Sequence, residues 1–338
     1  MPPEPRSGTV GRGPSRVVVA VLAEKPGRSE ADAAPSGALA TAIEAVDPRV
    51  RVAHVSDRAH WLEEAPEAEV IVGFRPLRAG ATRAKHLRWV HSMGAGVENL
   101  CRDVAGTDII VTNSHTHGDV IAEHVMALLL AHTRRLAIAI TRQAEGRWAR
   151  DGAVGTVIRG KTLGIVGLGA IGTELARRAA AFGMRVWATR RSGAAVPGVD
   201  RVVAPGALDE VLRVADVLAI TVPLTPETHG LIRARELGLL PAGAFLINVG
   251  RGGIVDETAL AAAIQSGHLA GAGLDVFEQE PLPPTSPLWR LPGMIITPHV
   301  GGSSPGFLER AVPFFCENLR RYLMGEPLLN RVDVSRGY

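Results

Sequence analysis

Only two cysteines occur in the 338 residues, Cys101 and Cys316, far apart and without C-x-x-C or any other ligand-like spacing. Neither a disulfide framework nor a zinc site is suggested, and a reducing compartment is the expectation. No uninterrupted apolar run is long enough to span a bilayer, which argues against a membrane partner. Charge of one sign is scarce as well. The formal net charge is +3, and the pI of about 9.2 comes from arginine outnumbering lysine rather than from a basic tract, which argues against nucleic acid as a partner. No internal repeat interrupts the chain. Residues 1–15 are rich in Pro, Gly and Arg but lack the apolar core of a secretion signal, so they read as a disordered lead-in to a cytoplasmic protein.

What is present is apolar residue in quantity, 46% against 21% charged, in a chain long enough to bury two cores with a cleft between them. From Arg16 short β-branched runs alternate with Ala/Leu-rich stretches, placing strands at Val17 to Leu22, Val50 to Val55, Val70 to Gly73, Trp89 to His91 and Ile109 to Thr112. A helix is expected from about Ile121 to Arg142. Its apolar residues, among them Ala122, Val125, Met126, Leu128, Leu129 and Leu130, are too many for one stripe, so burial on more than one side or at an interface is expected. After Gly160 a second series begins, with strands near Thr162 to Val166, Val186 to Thr189, Val217 to Ile220, Ala244 to Asn248, Ala272 to Asp275 and Ile295 to Thr297. The last helix, Phe307 to Met324, has no third domain to join and is expected to pack on the first.

Strand Thr162 to Val166 runs directly into Gly167-Leu168-Gly169-Ala170-Ile171-Gly172 and then into a helix. G-x-G-x-x-G is weak alone and strong between a strand and a helix. Gly167 permits the tight turn, Gly169 lets backbone approach a pyrophosphate, and Gly172 lets the helix pack closely on the strand. The fold class is therefore α/β with two doubly wound parallel-sheet domains. A Rossmann dinucleotide domain at 117–302 is inserted in a flavodoxin-like substrate domain made of 16–116 and 303–338. About twenty residues after the glycines, where an NAD enzyme places a carboxylate against the ribose hydroxyls, stand Arg190, Arg191 and Ser192. Two guanidinium groups and a hydroxyl suit a 2′-phosphate, which favours NADP(H) over NAD(H). A solvated basic loop is the plainer alternative.

Three later segments each bring a polar group past a strand end: Arg251 in Asn248 to Asp256, Glu280 in Gly273 to Leu282, and His299 in Thr297 to Ser303. Arg251 can bind a substrate carboxylate and polarise the neighbouring carbonyl, His299 can protonate that oxygen, and Glu280 can hold and charge the imidazole. Singly, each is more often a surface charge or a packed histidine. Arriving together and in order, they read as a site for reducing a ketone by hydride transfer. A second histidine group, His115, His117 and His124, lacks the third ligand and spacing a metal needs, so no metal is expected.

At these residues the chain closely resembles the D-isomer-specific 2-hydroxyacid dehydrogenase family, and an NADPH-preferring, glyoxylate/hydroxypyruvate reductase-like branch of it, over nearly the whole length from Arg16. The resemblance implies catalytic roles for Arg251, Glu280 and His299, and cofactor contact by Val222, Pro223, Thr228, Val249, Gly250, Gly301 and Gly302, with Asp275 on the nicotinamide side. It implies that backbone in Ser92 to Val97, including Met93, Gly94, Ala95 and Gly96, binds the substrate carboxylate. Ala122-Glu123-His124 and Asn318 to Tyr322 match as well. The departure is Arg190, where many members carry Asp. Phe74, Arg75, Met93 and Trp289 are candidates for the substrate side-chain pocket, which leaves glyoxylate, hydroxypyruvate and phenylpyruvate-like acids open. A homodimer is expected. A non-catalytic nucleotide-sensing corepressor or scaffold would share fold and glycines. A formate-type dehydrogenase is the other alternative, disfavoured because that relative would carry Gln at the Glu280 position.

Overall fold

The computed structural model describes residues 17–22, 36–55, 67–73 and 85–338. The lead-in expected over 1–15 and the pocket candidates Phe74 and Arg75 lie outside the described residues. The chain divides into two compact units, one formed by the chain up to Thr116 together with Pro305–Tyr338, the other by His117–Ser304.

In the first unit β1 (Val17–Leu22), β2 (Val50–Val55), β3 (Val70–Gly73), β4 (Trp89–Ser92) and β5 (Ile110–Asn113) form a parallel sheet in the order β2-β1-β3-β4-β5. That is the flavodoxin-like order. β3 and β4 are buried throughout, as parallel strands covered on both faces require. With α1 (Ser36–Glu44) and α2 (Glu98–Asp103) comes the final helix, α9 (Phe307–Met324), which lays Phe307, Ala311, Phe315 and Leu319 into a core with Trp89, Val70 and Val72. Trp89 stacks on Phe315 with centroids 5.3 Å apart. Its indole Nε1 donates to Thr112 Oγ1 at 2.8 Å, so the polar handle is satisfied. Tyr322 donates its hydroxyl to Glu69 Oε1 at 2.7 Å. Burial and the Glu69 carboxylate together hold the phenol above its ordinary range. Tyr322→Phe removes a bond to a charged acceptor and should lower stability by about 1–2 kcal/mol in urea denaturation; an unchanged midpoint would show the bond to be neutral.

The second unit has seven parallel strands, β6 (Thr162–Val166), β7 (Arg185–Thr189), β8 (Arg201–Val203), β9 (Val217–Ile220), β10 (Ala244–Asn248), β11 (Leu269–Leu274) and β12 (Ile295–Ile296), in the order β12-β11-β10-β9-β6-β7-β8. Counted from β6, this is the 3-2-1-4-5-6 arrangement of a Rossmann sheet with one strand added. Alternate residues feed two cores. Leu163, Ile165, Ala219, Phe245 and Ile247 pack with α3 (Gly118–Thr133) and α5 (Ala170–Ala181). Leu218, Ile220, Leu246, Ala272 and Leu274 pack with α6 (Leu208–Leu212), α7 (Ala234–Leu239) and α8 (Glu257–Gln265). The order reverses between β6 and β9, so the carboxyl ends of those strands form the switch-point crevice where α/β sheets bind ligands.

The helix expected over 121–142 is two helices. α3 ends at Thr133 and α4 (Leu136–Ala144) begins after Arg135, whose φ of 56° is left-handed. The break has its cause in a later segment: Thr133 O accepts the amide of Thr156 at 2.8 Å, where Gly155 comes so close that a Cβ would lie 2.4 Å from that oxygen. α3 buries Ala122, Val125, Met126, Leu128 and Leu129. α4 buries nothing in the chain itself.

Candidate active site

The site is built where successive strands of the seven-stranded sheet end. β6 passes into Gly167-Leu168-Gly169, and α5 starts at Ala170 with Gly169 as its cap. Gly167 has φ 101°, and a Cβ there would meet Val222 Cγ1 at 2.5 Å. A Cβ on Gly172 would lie 2.4 Å from Gly167 O, so helix and turn approach as closely as backbone permits. Gly169 differs: nothing lies within 4 Å of its missing Cβ, and no side chain caps α5. An uncapped twelve-residue helix start with open space at its cap fits an anionic diphosphate. Thr189 and Thr221 hold the turn. Thr189 Oγ1 accepts the Gly167 amide at 3.0 Å, and Thr221 Oγ1 donates to Gly167 O at 2.6 Å.

Beyond β7, Arg190 is half-buried and Arg191 and Ser192 are exposed. The Arg190 amide bonds to Val203 O at 2.9 Å, fixing this corner to β8. No carboxylate stands in the run from Thr189 to Ser192. Beyond β9 the segment Pro223–Thr228 folds on its own hydroxyls. Thr228 Oγ1 donates to Pro223 O at 2.6 Å and accepts the Thr225 amide at 2.8 Å.

Past β10, Asn248 staples the turn that carries Arg251. Its Oδ1 accepts the Gly250 amide and its Nδ2 donates to Arg251 O, both at 3.0 Å. Arg251 Nη1 donates back to Gly250 O at 2.7 Å. Gly250 and Gly252 are dictated by proximity: a Cβ would lie 2.6 Å from Val222 O at the first and 1.9 Å from Phe277 O at the second. Gly252 thus sets the Arg251 turn directly against the loop of Glu280.

His299 Nδ1 donates to Glu280 Oε2 at 2.7 Å, and Glu280 Oε1 accepts the Phe277 amide at 3.2 Å. Burial pushes the Glu280 carboxyl up, but the bond from His299, the imidazole's charge, the Phe277 amide and the nearby Arg251 guanidinium outweigh it and hold the group below its usual range. Glu280 is a carboxylate at neutral pH. The pair stays open to a substrate, with side chains 38% and 34% exposed, and His299 Nε2 has no partner among the described residues. Asp275 is 3% exposed, its oxygens turned toward Thr297, Val300 and Gly301. Arg251, Glu280 and His299 thus stand in the loops that follow β10, β11 and β12, three neighbouring strands.

In the first unit the loop after β4 is held from behind. Ser92 Oγ lies 3.0 Å from Gly94 O and 3.4 Å from Gly96 O, and Asn113 Nδ2 donates to Ala95 O at 2.8 Å. Three successive carbonyls are thereby turned toward protein donors. Met93 itself is 3% exposed and packs its side chain in the core of that unit, which leaves its backbone to the loop. Trp289, half exposed, donates from Nε1 to Pro283 O at 2.9 Å. Of the second histidine group, His117 is buried beside Gly302, and His124 Nε2 lies 3.0 Å from Thr297 Oγ1.

Sequence reasoning gave no bracing role to the side chains of Thr189, Thr221, Asn248, Ser92 and Asn113, which fix the turns and loops of the site. A signal existed: Thr189, Asn248, Ser92 and Asn113 are each the polar residue closing a strand that is otherwise largely apolar.

The architecture is that of two-sheet, Rossmann-type α/β proteins. A family model described as D-isomer specific 2-hydroxyacid dehydrogenase, NAD binding domain, matches residues 126–301. Over 294 residues the chain is 38% identical to the D-3-phosphoglycerate dehydrogenase of Mycobacterium tuberculosis, covering 83% of this chain and 54% of that protein. The chain therefore spans about half the length of that relative. It is 35% identical over 299 residues to the glyoxylate reductase of Korarchaeum cryptofilum, covering 81% of this chain and 88% of the relative. A solved D-isomer specific 2-hydroxyacid dehydrogenase from Xanthobacter autotrophicus Py2, in complex with NADPH and MES, superposes with a TM-score of 0.79 at 34% identity, covering 96% of this chain and all of the other. The chain belongs to the D-isomer specific 2-hydroxyacid dehydrogenase family.

Proposed function

We propose that this protein is a nicotinamide-dependent oxidoreductase interconverting a 2-oxo acid and its D-2-hydroxy acid. The observation that carries the reading is the 2.7 Å bond from His299 to a Glu280 carboxylate on the strand ends next to Arg251. Bound at the glycine turn, the nicotinamide cofactor supplies hydride to the 2-carbon. The protein's own residues do the rest. His299 gives the proton at Nε2 to the oxygen that becomes the alcohol, and takes it back in the reverse direction. Glu280 holds Nδ1–H, fixing the ring's orientation and leaving Nε2 to the substrate. Arg251 binds the substrate carboxylate and polarises the neighbouring carbonyl. No step requires a metal.

Arg190, Arg191 and Ser192, with no carboxylate beside them, favour NADP(H). The NADPH in the Xanthobacter relative agrees with this preference. Glyoxylate and hydroxypyruvate head the candidate substrates, as small acids that need only the carboxylate and carbonyl contacts. A cytoplasmic homodimer is part of the same proposal.

A panel of 2-oxo acids assayed by NADPH oxidation, with NADH alongside, tests the reaction and the cofactor together. We expect turnover of at least one small oxo acid and a kcat/KM about tenfold higher with NADPH. Parity or an NADH preference sinks the cofactor assignment, and no turnover with either cofactor sinks the reaction.

A further inference from the structure

We infer that Asp275 serves catalysis through the His299 loop, as a positioning residue braced by Thr297 and His124. The family resemblance implies contact of this carboxylate with the nicotinamide side of the cofactor; within the protein its oxygens accept from the His299 loop. Oδ1 accepts Thr297 Oγ1 at 2.6 Å and the Val300 amide at 2.9 Å, and Oδ2 accepts the Gly301 amide at 2.8 Å. The donors flank His299 on both sides, so one buried carboxylate clamps the ends of a five-residue segment with the imidazole at its centre.

The clamp holds something that would otherwise relax. His299 has φ 54°, in the left-handed region that non-glycine residues seldom occupy and that persists where surrounding structure over-determines it. Its amide turns back to Thr297 O at 3.0 Å, closing a tight turn after Pro298. Gly301 is required by the same contact: a Cβ would lie 2.8 Å from Asp275 Oδ2 and 3.1 Å from His124 Cδ2. Thr297 passes the clamp outward. Its hydroxyl donates to Asp275 and stands 3.0 Å from His124 Nε2 on α3, which is itself 3.6 Å from Asp275 Oδ1. A carboxylate with its donors satisfied in this way rigidifies what it holds.

The inference rests on the proposed reduction for its catalytic consequence, and on amide exchange for its structural one, so the two can fail separately. In the Asp275→Asn protein one oxygen becomes a donor facing amides that also donate. We expect kcat about ten- to thirtyfold lower, a misplacement effect, with the KM for the oxo acid changed less than about threefold and the Kd for NADPH unchanged. Hydrogen exchange at Val300 and Gly301 should accelerate at least about tenfold in the variant, whether or not a substrate has been found. Thr297→Ser should resemble wild type, while Thr297→Val should lose about tenfold in kcat; this pair answers the question if Asp275→Asn folds poorly. Weakened NADPH binding with kcat retained at saturating cofactor would assign Asp275 to the cofactor and overturn the inference. So would unaltered exchange at Val300 and Gly301, or wild-type behaviour of Thr297→Val. An inactive wild type whose variant still shows the faster exchange refutes the reaction and keeps the clamp.

Discussion

His299→Ala should reduce 2-oxo acids at least about a hundredfold more slowly than wild type, with cofactor affinity intact. Proton transfer by a positioned side chain contributes roughly 10²–10⁴ to a rate, and His299 Nε2 is the imidazole nitrogen left over once Nδ1 has bonded to Glu280. Without it the developing alkoxide must take its proton from water. Cofactor binding should survive because the glycine turn is held by Thr189 and Thr221, which make no bond to the His299 loop. The measurement is single-turnover reduction at saturating NADPH, with Kd from nucleotide fluorescence. Removing the ring also leaves Glu280 with the Phe277 amide and the nearby Arg251, so part of any loss in KM belongs to Arg251 being drawn toward that carboxylate; the kcat effect is the diagnostic one. Wild-type turnover by His299→Ala would mean that the proton comes from elsewhere.

The chemistry was more legible in the sequence than the scaffolding that aims it. Strand ends could be placed because runs such as Val217–Ile220 and Ala244–Asn248 are buried throughout, and a short apolar run stopped by a polar residue marks both the strand and its exit. β8 was missed because three residues, Arg201–Val203, show no periodicity; the strand exists by pairing with Trp187–Thr189. β11 was expected to start only at Ala272, since Gly271 and Gly273 weaken a strand signal. Those glycines are there because Gly293 backbone and the Leu128 side chain press on the strand, a long-range cause that no local window contains. Asp275 was found by position, whereas its three donors lie 22 to 26 residues away and needed the fold. The break between α3 and α4 is of the same kind, decided by Thr156 and Gly155 far along the chain.

Glu280→Gln should lower the reduction rate at neutral pH by about a hundredfold. Burial pushes the carboxyl up, but its bond to His299, the charge of that ring, the Phe277 amide and the Arg251 guanidinium together outweigh it and hold the group below its usual pKa range, so it is ionised wherever the enzyme would be assayed. An amide at Oε2's position can still accept from Nδ1–H, so the ring need not move far, but it carries no charge and can turn its NH2 to the ring instead, presenting the wrong tautomer; replacing the carboxylate that orients a catalytic histidine is costly for this reason. The sign for stability follows from the lowered carboxyl: the bond contributes above the ordinary carboxylate range and fades as pH falls through the depressed value, so wild type and variant should converge in stability under acid and differ at neutral pH. With both side chains more than a third exposed the stability difference stays small. The rate effect does not share that discount, because it depends on which nitrogen carries the proton when hydride arrives. Single-turnover reduction of one oxo acid by the two proteins decides it, and equal rates would remove Glu280 from the mechanism while leaving His299 in it.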